Sequence, residues 1–246
     1  DKDFAGRLQN VTAADKAGNT ASAGTSAPFV VEVSAPTKPV VDTAGYTTGS
    51  WATEEVTLTP GGATTVGIID HYEYSVDNGR NWTPVMGSSL AVTENTTGIT
   101  YTFRAVSALG KQGENSDAVT VKLDKTEPVL TLSAHTDAYL TDDTVNLTAS
   151  AGVSGIAKVE AQKDGGDWQD ITDTYAKGYP VTENGTYTFR LTNGAGKAVQ
   201  QSLTYDKMDA TKPVVSLDTH GYIPGAWATD TVTCLLYTSP SPRDPK

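Results

Sequence analysis

One cysteine, two methionines and four phenylalanines stand in 246 residues, and no apolar run nears the roughly 18 residues of a membrane-spanning helix. A single cysteine excludes a disulfide framework within the chain and a cysteine-only metal site. Basic residues are few as well, 18 Lys and Arg against 29 Asp and Glu, for a formal charge of −11. Nucleic-acid binding needs clustered Lys and Arg, whereas this acidic surface repels phosphate. The Ala, Leu, Glu and Lys periodicity of helix bundles is missing too. Thr is the commonest residue at 38, beside 23 Gly and 12 Pro, a mixture that favours strands and turns. The composition therefore points to an all-β protein with no nucleic-acid partner and no membrane insertion.

The ends carry their own expectations. The chain starts Asp1-Lys2-Asp3-Phe4, with no Met and no export signal, as expected of a fragment. At the other end, Cys234-Leu235-Leu236-Tyr237-Thr238-Ser239-Pro240 and the residues after it resemble translated read-through of a sequencing-library adapter. On that reading 234–246 is a non-native tail, and the natural part is free of cysteine.

Internal repetition organises the rest. Thr37-Lys38-Pro39-Val40 returns as Thr126-Glu127-Pro128-Val129 and again as Thr211-Lys212-Pro213-Val214, at spacings of 89 and 85. Tyr101-Thr102-Phe103-Arg104 returns as Tyr187-Thr188-Phe189-Arg190, and Trp82 as Trp168, both 86 later. Gly45-Tyr46 to Val56-Thr57 recurs at Gly221-Tyr222 to Val232-Thr233, and the match ends there in mid-strand. The expected divisions are a repeat tail (1–36), two whole repeats (37–125 and 126–210), a repeat head (211–233) and the tail 234–246.

Within the first whole repeat, seven short segments read as strands: 40–41, 56–59, 72–76, 83–85, 90–92, 101–105 and 119–123. Period-two alternation puts Tyr101, Phe103 and Ala105 on one face and Thr102 and Arg104 on the other. Asp77-Asn78-Gly79 and Asp164-Gly165-Gly166 supply the positive-φ residues of tight hairpins. Seven strands in 85–89 residues, with turns every 8–12, is the signature of an immunoglobulin-like sandwich. The fold expected is thus a tandem array of such sandwiches on short linkers, a monomeric rod. Without cross-links, aromatic packing must hold each domain. Trp51, Trp82, Tyr101 and Phe103 are expected in the first core, and Trp168, Tyr187 and Phe189 in the second.

The Asp-x-Thr-x-Pro boundaries (Asp124 to Pro128, Asp209 to Pro213), the Asp/Gly-rich turn before Trp, and Tyr-x-Phe-Arg before an Ala-Gly turn resemble tandem bacterial Ig-like domains. These occur in large surface proteins of Gram-positive bacteria. The first boundary, Ser34-Ala35-Pro36-Thr37, lacks the Asp, and Tyr139 stands near where Trp51 and Trp227 do. The resemblance implies an extracellular, wall-associated stalk or adhesive role without catalysis. Partners implied are surface glycans or proteins, bound through regions outside this fragment.

Ser75-Val76-Asp77-Asn78-Gly79-Arg80-Asn81-Trp82 resembles the Asp-box of sialidases, which is itself a structural hairpin, and its second copy around Asp164 is degenerate. His71, His135 and His220 are isolated, without the convergent partners that metal binding or proton transfer needs. Asp124, Asp142, Asp143 and Asp209 near the boundaries are weak candidates for Ca²⁺, against a solvated acidic surface. No other cofactor is expected. Trp51 with Tyr46, and Trp227 with Tyr222, offer a sugar platform, although recurrence in each repeat favours packing. The alternative to a stalk is an accessory, carbohydrate-binding array of a secreted polysaccharide-degrading enzyme.

Overall fold

Alternating Thr/Val-rich segments and positive-φ turns dictate the architecture. The computed structural model describes residues 2–239, with side chains described through residue 236. It is a tandem all-β chain of immunoglobulin-like sandwiches that divides into two compact units. The first holds residues 2–127 with the loops 152–155 and 194–197; the second holds 128–151, 156–193 and the chain from 198 onward.

The first unit opens with β1 (Phe4–Gly6), β2 (Val11–Ala14), β3 (Thr20–Ala23) and β4 (Phe29–Val31), in which β1 pairs with β4 and β2 with β3. The sandwich follows: β5 (Val40–Asp42), β6 (Trp51–Ala52), β7 (Val56–Gly61), β8 (Ile69–Ser75), β9 (Thr83–Pro84), β10 (Leu90–Val92), β11 (Thr96–Ser107) and β12 (Val119–Leu123). Its sheets have the orders β10-β7-β5 and β6-β12-β11-β8-β9. Val56, Leu58, Val92, Tyr101, Phe103, Val119, Val121 and Leu123 are buried together between them. Burial alternates strictly along β7 and β12, so one side of each strand is core and the other is not.

The second unit repeats the plan with β13 (Val129–Ser133), β14 (Asp143–Ser150), β15 (Ile156–Lys163), β16 (Gln169–Asp170), β17 (Tyr179–Val181), β18 (Gly185–Asn193) and β19 (Ala198–Tyr205). The sheets are β13-β14-β17 and β16-β15-β18-β19, closed over Leu130, Val145, Val159, Tyr187, Phe189, Leu191 and Tyr205. Asn78 and Gly79 take φ of 60° and 82° in one hairpin, and Asp164 and Gly165 take 51° and 74° in its counterpart. A separate hairpin, β20 (Val214–Asp218) with β21 (Leu235–Ser239), completes the described chain. Of the expected non-native tail, residues 235–239 therefore form a strand, and 240–246 lie outside the described residues.

Tyr101, Phe103, Tyr187 and Phe189 lie in the two buried clusters. The tryptophans do not. Trp51, Trp82 and Trp168 are half-buried beside the cores, for a reason that lies in their cationic neighbours.

Candidate functional site

The alternation that sends Tyr101 and Phe103 inward sends Arg104 to the opposite face of β11, where register sets it across from Glu73 on β8. Arg104 donates through Nε to Glu73 Oε2 at 2.8 Å and through its terminal nitrogen at 2.7 Å. Its guanidinium carbon lies 4.1 Å from the centroid of the Trp82 ring. The second unit builds the same stack. Arg190 sits opposite Glu160, donates to it at 2.8 and 2.6 Å, and lies 4.2 Å from the Trp168 ring. Lys158 adds a third donor to Glu160 at 2.6 Å. That bond, against the opposing effect of burial and with Arg190 assisting, holds the Glu160 carboxyl below the usual range. A guanidinium over an indole is stabilised by the ring's quadrupole, by about 0.5–2 kcal/mol. Each of these indoles thus has one face covered by its own arginine. Trp82 also donates Nε1–H to the Gly79 carbonyl at 3.0 Å. Trp51 lies on β6, with the Lys122 ammonium 5.8 Å from its ring, and Trp227 is fully exposed.

The Asp-box-like segment is a closed turn. Asp77 accepts hydrogen bonds from Asn81 N at 2.9 Å, Ser75 Oγ at 2.7 Å, Asn81 Nδ2 at 2.6 Å and Arg80 N at 3.0 Å. Those from Asn81 and Ser75 hold its carboxyl at about 2. Asp15 grips Asn19 N and Nδ2 in the same way between β2 and β3. A carboxylate so occupied organises a loop, and its acceptor capacity is taken up by the backbone and side chains of that loop.

The boundary acids do not converge. Asp124 is fully buried and accepts from Ser154 N at 2.8 Å, Ser154 Oγ at 2.6 Å and Thr126 N at 3.0 Å. Burial pushes this carboxyl up, and the Ser154 and Thr126 hydrogen bonds more than reverse it, leaving it below the usual range. Gly152, at φ +71°, packs so close that a Cβ there would stand 2.6 Å from Asp124 Oδ2. Asp143 is pushed up by burial and pulled down further by the Tyr205 hydroxyl (2.5 Å) and by His135 through N (2.8 Å) and Nδ1 (3.0 Å). Asp142 accepts from the Thr141 hydroxyl and Asp209 from Thr211 N, both at 2.8 Å. Among the described residues, no group of three or more His, Cys, Asp or Glu is placed to hold a metal ion. His71 contacts Asp70 at 2.7 Å and Glu73 at 3.7 Å, and His220 stands 3.6 Å from Asp218.

A feature that sequence reasoning missed recurs inside the first unit. Glu32 is buried, accepting from Ser107 Oγ at 2.5 Å and from Thr65 Oγ1, while Lys111 Nζ donates to the Val33 carbonyl at 2.5 Å. Asp124 and Lys197 repeat that chemistry: Lys197 Nζ donates to the Lys125 carbonyl at 3.0 Å and pairs with Glu127 at 2.7 Å. Each linker stretch is thus held by a buried carboxylate and by a lysine on an equivalent turn. The signal available was Gly110-Lys111 returning 86 residues later as Gly196-Lys197. For Glu32 no local signal exists, because its partners are 33 and 75 residues away.

No family model matches the sequence, and no curated protein matches it. Among solved structures, the chain is similar to the tetra-tandem repeat in the extending region of a large adhesion protein, at 15% identity over 92% of this chain and 68% of that one, with a TM-score of 0.36. It is also similar to the fibronectin(III)-like modules of Clostridium thermocellum CbhA (15% identity, 67% of this chain and 92% of that one, TM-score 0.32). A third likeness is to immunoglobulin domains 1–4 of Sidekick-1 (17% identity, 79% and 56%, TM-score 0.41). The likeness is one of fold alone.

Proposed function

We propose that the chain is a non-catalytic stretch of an extracellular surface protein, with 37–125 and 126–210 as whole repeats of a stalk and 1–36 and 211–233 as parts of flanking repeats. The observation that carries this reading is the recurring clamp. Glu32 with Lys111, and Asp124 with Lys197, spend buried charge on fixing linker backbone. A spacer needs that device and needs no ligand site. The residues that recurrence brings forward, Trp82 and Trp168, have a face covered by the chain's own arginines. The carboxylates of the Asp-box-like turn and of the boundaries are occupied by donors of the chain itself.

A glycan-array screen of the full chain tests the proposal against the accessory-module alternative. No binding above background is expected. Reproducible binding that is lost on Trp51→Ala overturns the spacer reading and favours a carbohydrate-binding array.

A further inference from the structure

β19 has β18 as its one hydrogen-bonded neighbour among the described residues, so it forms a sheet edge eight residues long. Thr188 faces Ser202 and Thr186 faces Thr204, with hydroxyl oxygens 2.8 and 3.1 Å apart. Side chains that close mark the pairs that exchange no backbone bonds. The N–H and C=O groups of Gln200, Ser202 and Thr204 therefore point away from β18, along the open edge.

The first unit shows what this position requires. There Thr100 and Thr120 face each other at 2.9 Å, so Thr120 is the counterpart of Thr204. That edge is sealed by the chain itself. Thr120 N donates to Thr48 Oγ1 at 2.8 Å, Gly49 N donates to the Thr120 carbonyl at 2.7 Å, and Lys122 N donates to the Tyr46 hydroxyl at 3.1 Å. β6 then pairs in parallel with Lys122 and Leu123. In the second unit the segment at that position turns elsewhere. His135 bonds to Asp143, Lys207 Nζ donates to the Asp137 carbonyl at 3.2 Å, and Leu140 pairs beyond the end of β19, through a bridge to Met208. A groove of about 440 Å³, floored by Leu130, Leu132, Ala134 and Leu203, lies beside the open strand.

Natural edges are blunted by Lys, Pro, bulges or a covering segment. From Ala198 to Tyr205 there is no charge, no Pro and no Gly. An exposed edge of unpaired N–H and C=O groups is a template for another strand, and low charge with no Pro or Gly is the signature of segments that can stack on their own copies. The chain's net charge of −11 opposes the approach of a second copy, and β19 itself adds nothing to that charge. Antiparallel pairing about a two-fold axis at Ser202 sets Ser202 on Ser202 and Gln200 on Thr204. Every residue with outward backbone groups then meets another of the same kind.

We propose that β19 is a self-association edge: it pairs antiparallel with β19 of a second copy, joining two four-stranded sheets into one of eight. The inference stands apart from the spacer reading, which holds with or without it. A seven-residue strand pair stays below the roughly 1,000 Å² that stable interfaces clear, so the pairing is weak and concentration-dependent.

Sedimentation velocity of the full chain over a concentration series tests it. The weight-average mass should rise from the monomer's 25.8 kDa toward twice that value. Ser202→Lys sets two lysines face to face across the axis and should raise the apparent Kd up to about fivefold, since like charges directly opposite are destabilising. Ser202→Pro should act alike without disturbing the fold, because the N–H it removes is on the solvent side. An unchanged melting curve checks that each variant folds. Trp227→Ala and Leu236→Asp, which alter the exposed apolar residues of the last hairpin, should leave the association intact. A mass that stays monomeric at all concentrations overturns the proposal. So does association that persists in both Ser202 variants, or that is lost in the hairpin variants instead. An unrelated extended peptide binding the edge of a monomer that never self-associates would make the strand a docking site for other chains and likewise refute self-pairing.

Discussion

Asp124→Asn isolates the chemistry of the second linker clamp. Three donors converge on this fully buried carboxylate: Ser154 N and Oγ on Oδ2, and Thr126 N on Oδ1. Asparagine keeps the shape but replaces one oxygen with an amide that only donates. Either orientation sets donor against donor, and the less costly one turns the amide toward Thr126 N and keeps the two Ser154 bonds. Setting a buried donor against another costs about 1–3 kcal/mol, and converting two charge-assisted bonds to neutral ones adds about 1 kcal/mol each. Removing a buried charge gives part of this back. The net expectation is a loss of about 2–3 kcal/mol at neutral pH. Urea unfolding of the full chain measures it, with Trp168 and Trp227 replaced by Phe so that emission reports the first unit. The pH dependence supplies the discriminating result. The folded-state carboxyl lies below its unfolded value, so its contribution is complete above about pH 5 and is lost as pH falls through the folded value. The gap between wild type and variant should therefore close in acid. A gap under about 0.5 kcal/mol at pH 7, or one constant down to about pH 2.5, refutes the reasoning.

Phe189→Ala, at a site with no exposed surface, should lower the second unit's stability by about 3–5 kcal/mol while the first unit's transition stays within about 0.5 kcal/mol, as read by calorimetry. Arg104→Ala takes two charged hydrogen bonds from Glu73 and uncovers the Trp82 face; a loss of about 2 kcal/mol and a red-shifted Trp82 emission are expected, and unchanged emission argues against the stack. Tyr205→Phe removes a donor from Asp143, whose carboxyl is held below its unfolded value. It should cost about 1.5 kcal/mol at pH 7 and progressively less as pH falls below about 4. Adding Ca²⁺ or a chelator should leave the melting transitions unmoved, because Asp124, Asp142, Asp143 and Asp209 are engaged separately; a Ca²⁺-dependent rise would restore the metal reading.

Local pattern made the strands and hairpins legible, and the tertiary pairings were not. The Tyr-x-Phe alternation announces an inward face, and Tyr101, Phe103, Tyr187 and Phe189 lie there. The same argument applied to tryptophan does not hold, because recurrence marks any structure repeated in every domain. Trp82 and Trp168 recur because Arg104 and Arg190 recur beside them, on the solvent side of the sheet. Alternation had already put Arg104 on that side, so the stack was within reach once the facing strand was known. β6 was invisible for a related reason. Two residues, Trp51 and Ala52, become a strand only through parallel pairing with β12, some seventy residues on. The clamps depend on contacts of the same long range.

The last hairpin separates what a loop encodes from what a domain encodes. Asp218 accepts from His220 N at 2.8 Å, Thr219 Oγ1 donates to the Tyr222 carbonyl at 2.9 Å, and the Tyr222 hydroxyl donates to the Ala226 carbonyl at 2.8 Å. Each bond has its counterpart in the first repeat: Asp42 with Ala44 at 2.9 Å, Thr43 with Tyr46 at 2.7 Å, and Tyr46 with Ser50 at 2.5 Å. The register follows too. Asp218 lies opposite Leu235 and Leu217 opposite Leu236, as Asp42 lies opposite Thr59 and Val41 opposite Pro60, at a uniform offset of 176. Residues 235–236 share no side-chain pattern with Thr59-Pro60, so the loop alone carries that register. Burial does not follow. Trp51 is half-buried where β12 and Lys122 flank it, and Trp227, in the same loop, is fully exposed. The loop therefore specifies its own turn and strand pairing, and the shelter of its tryptophan is supplied by a second sheet.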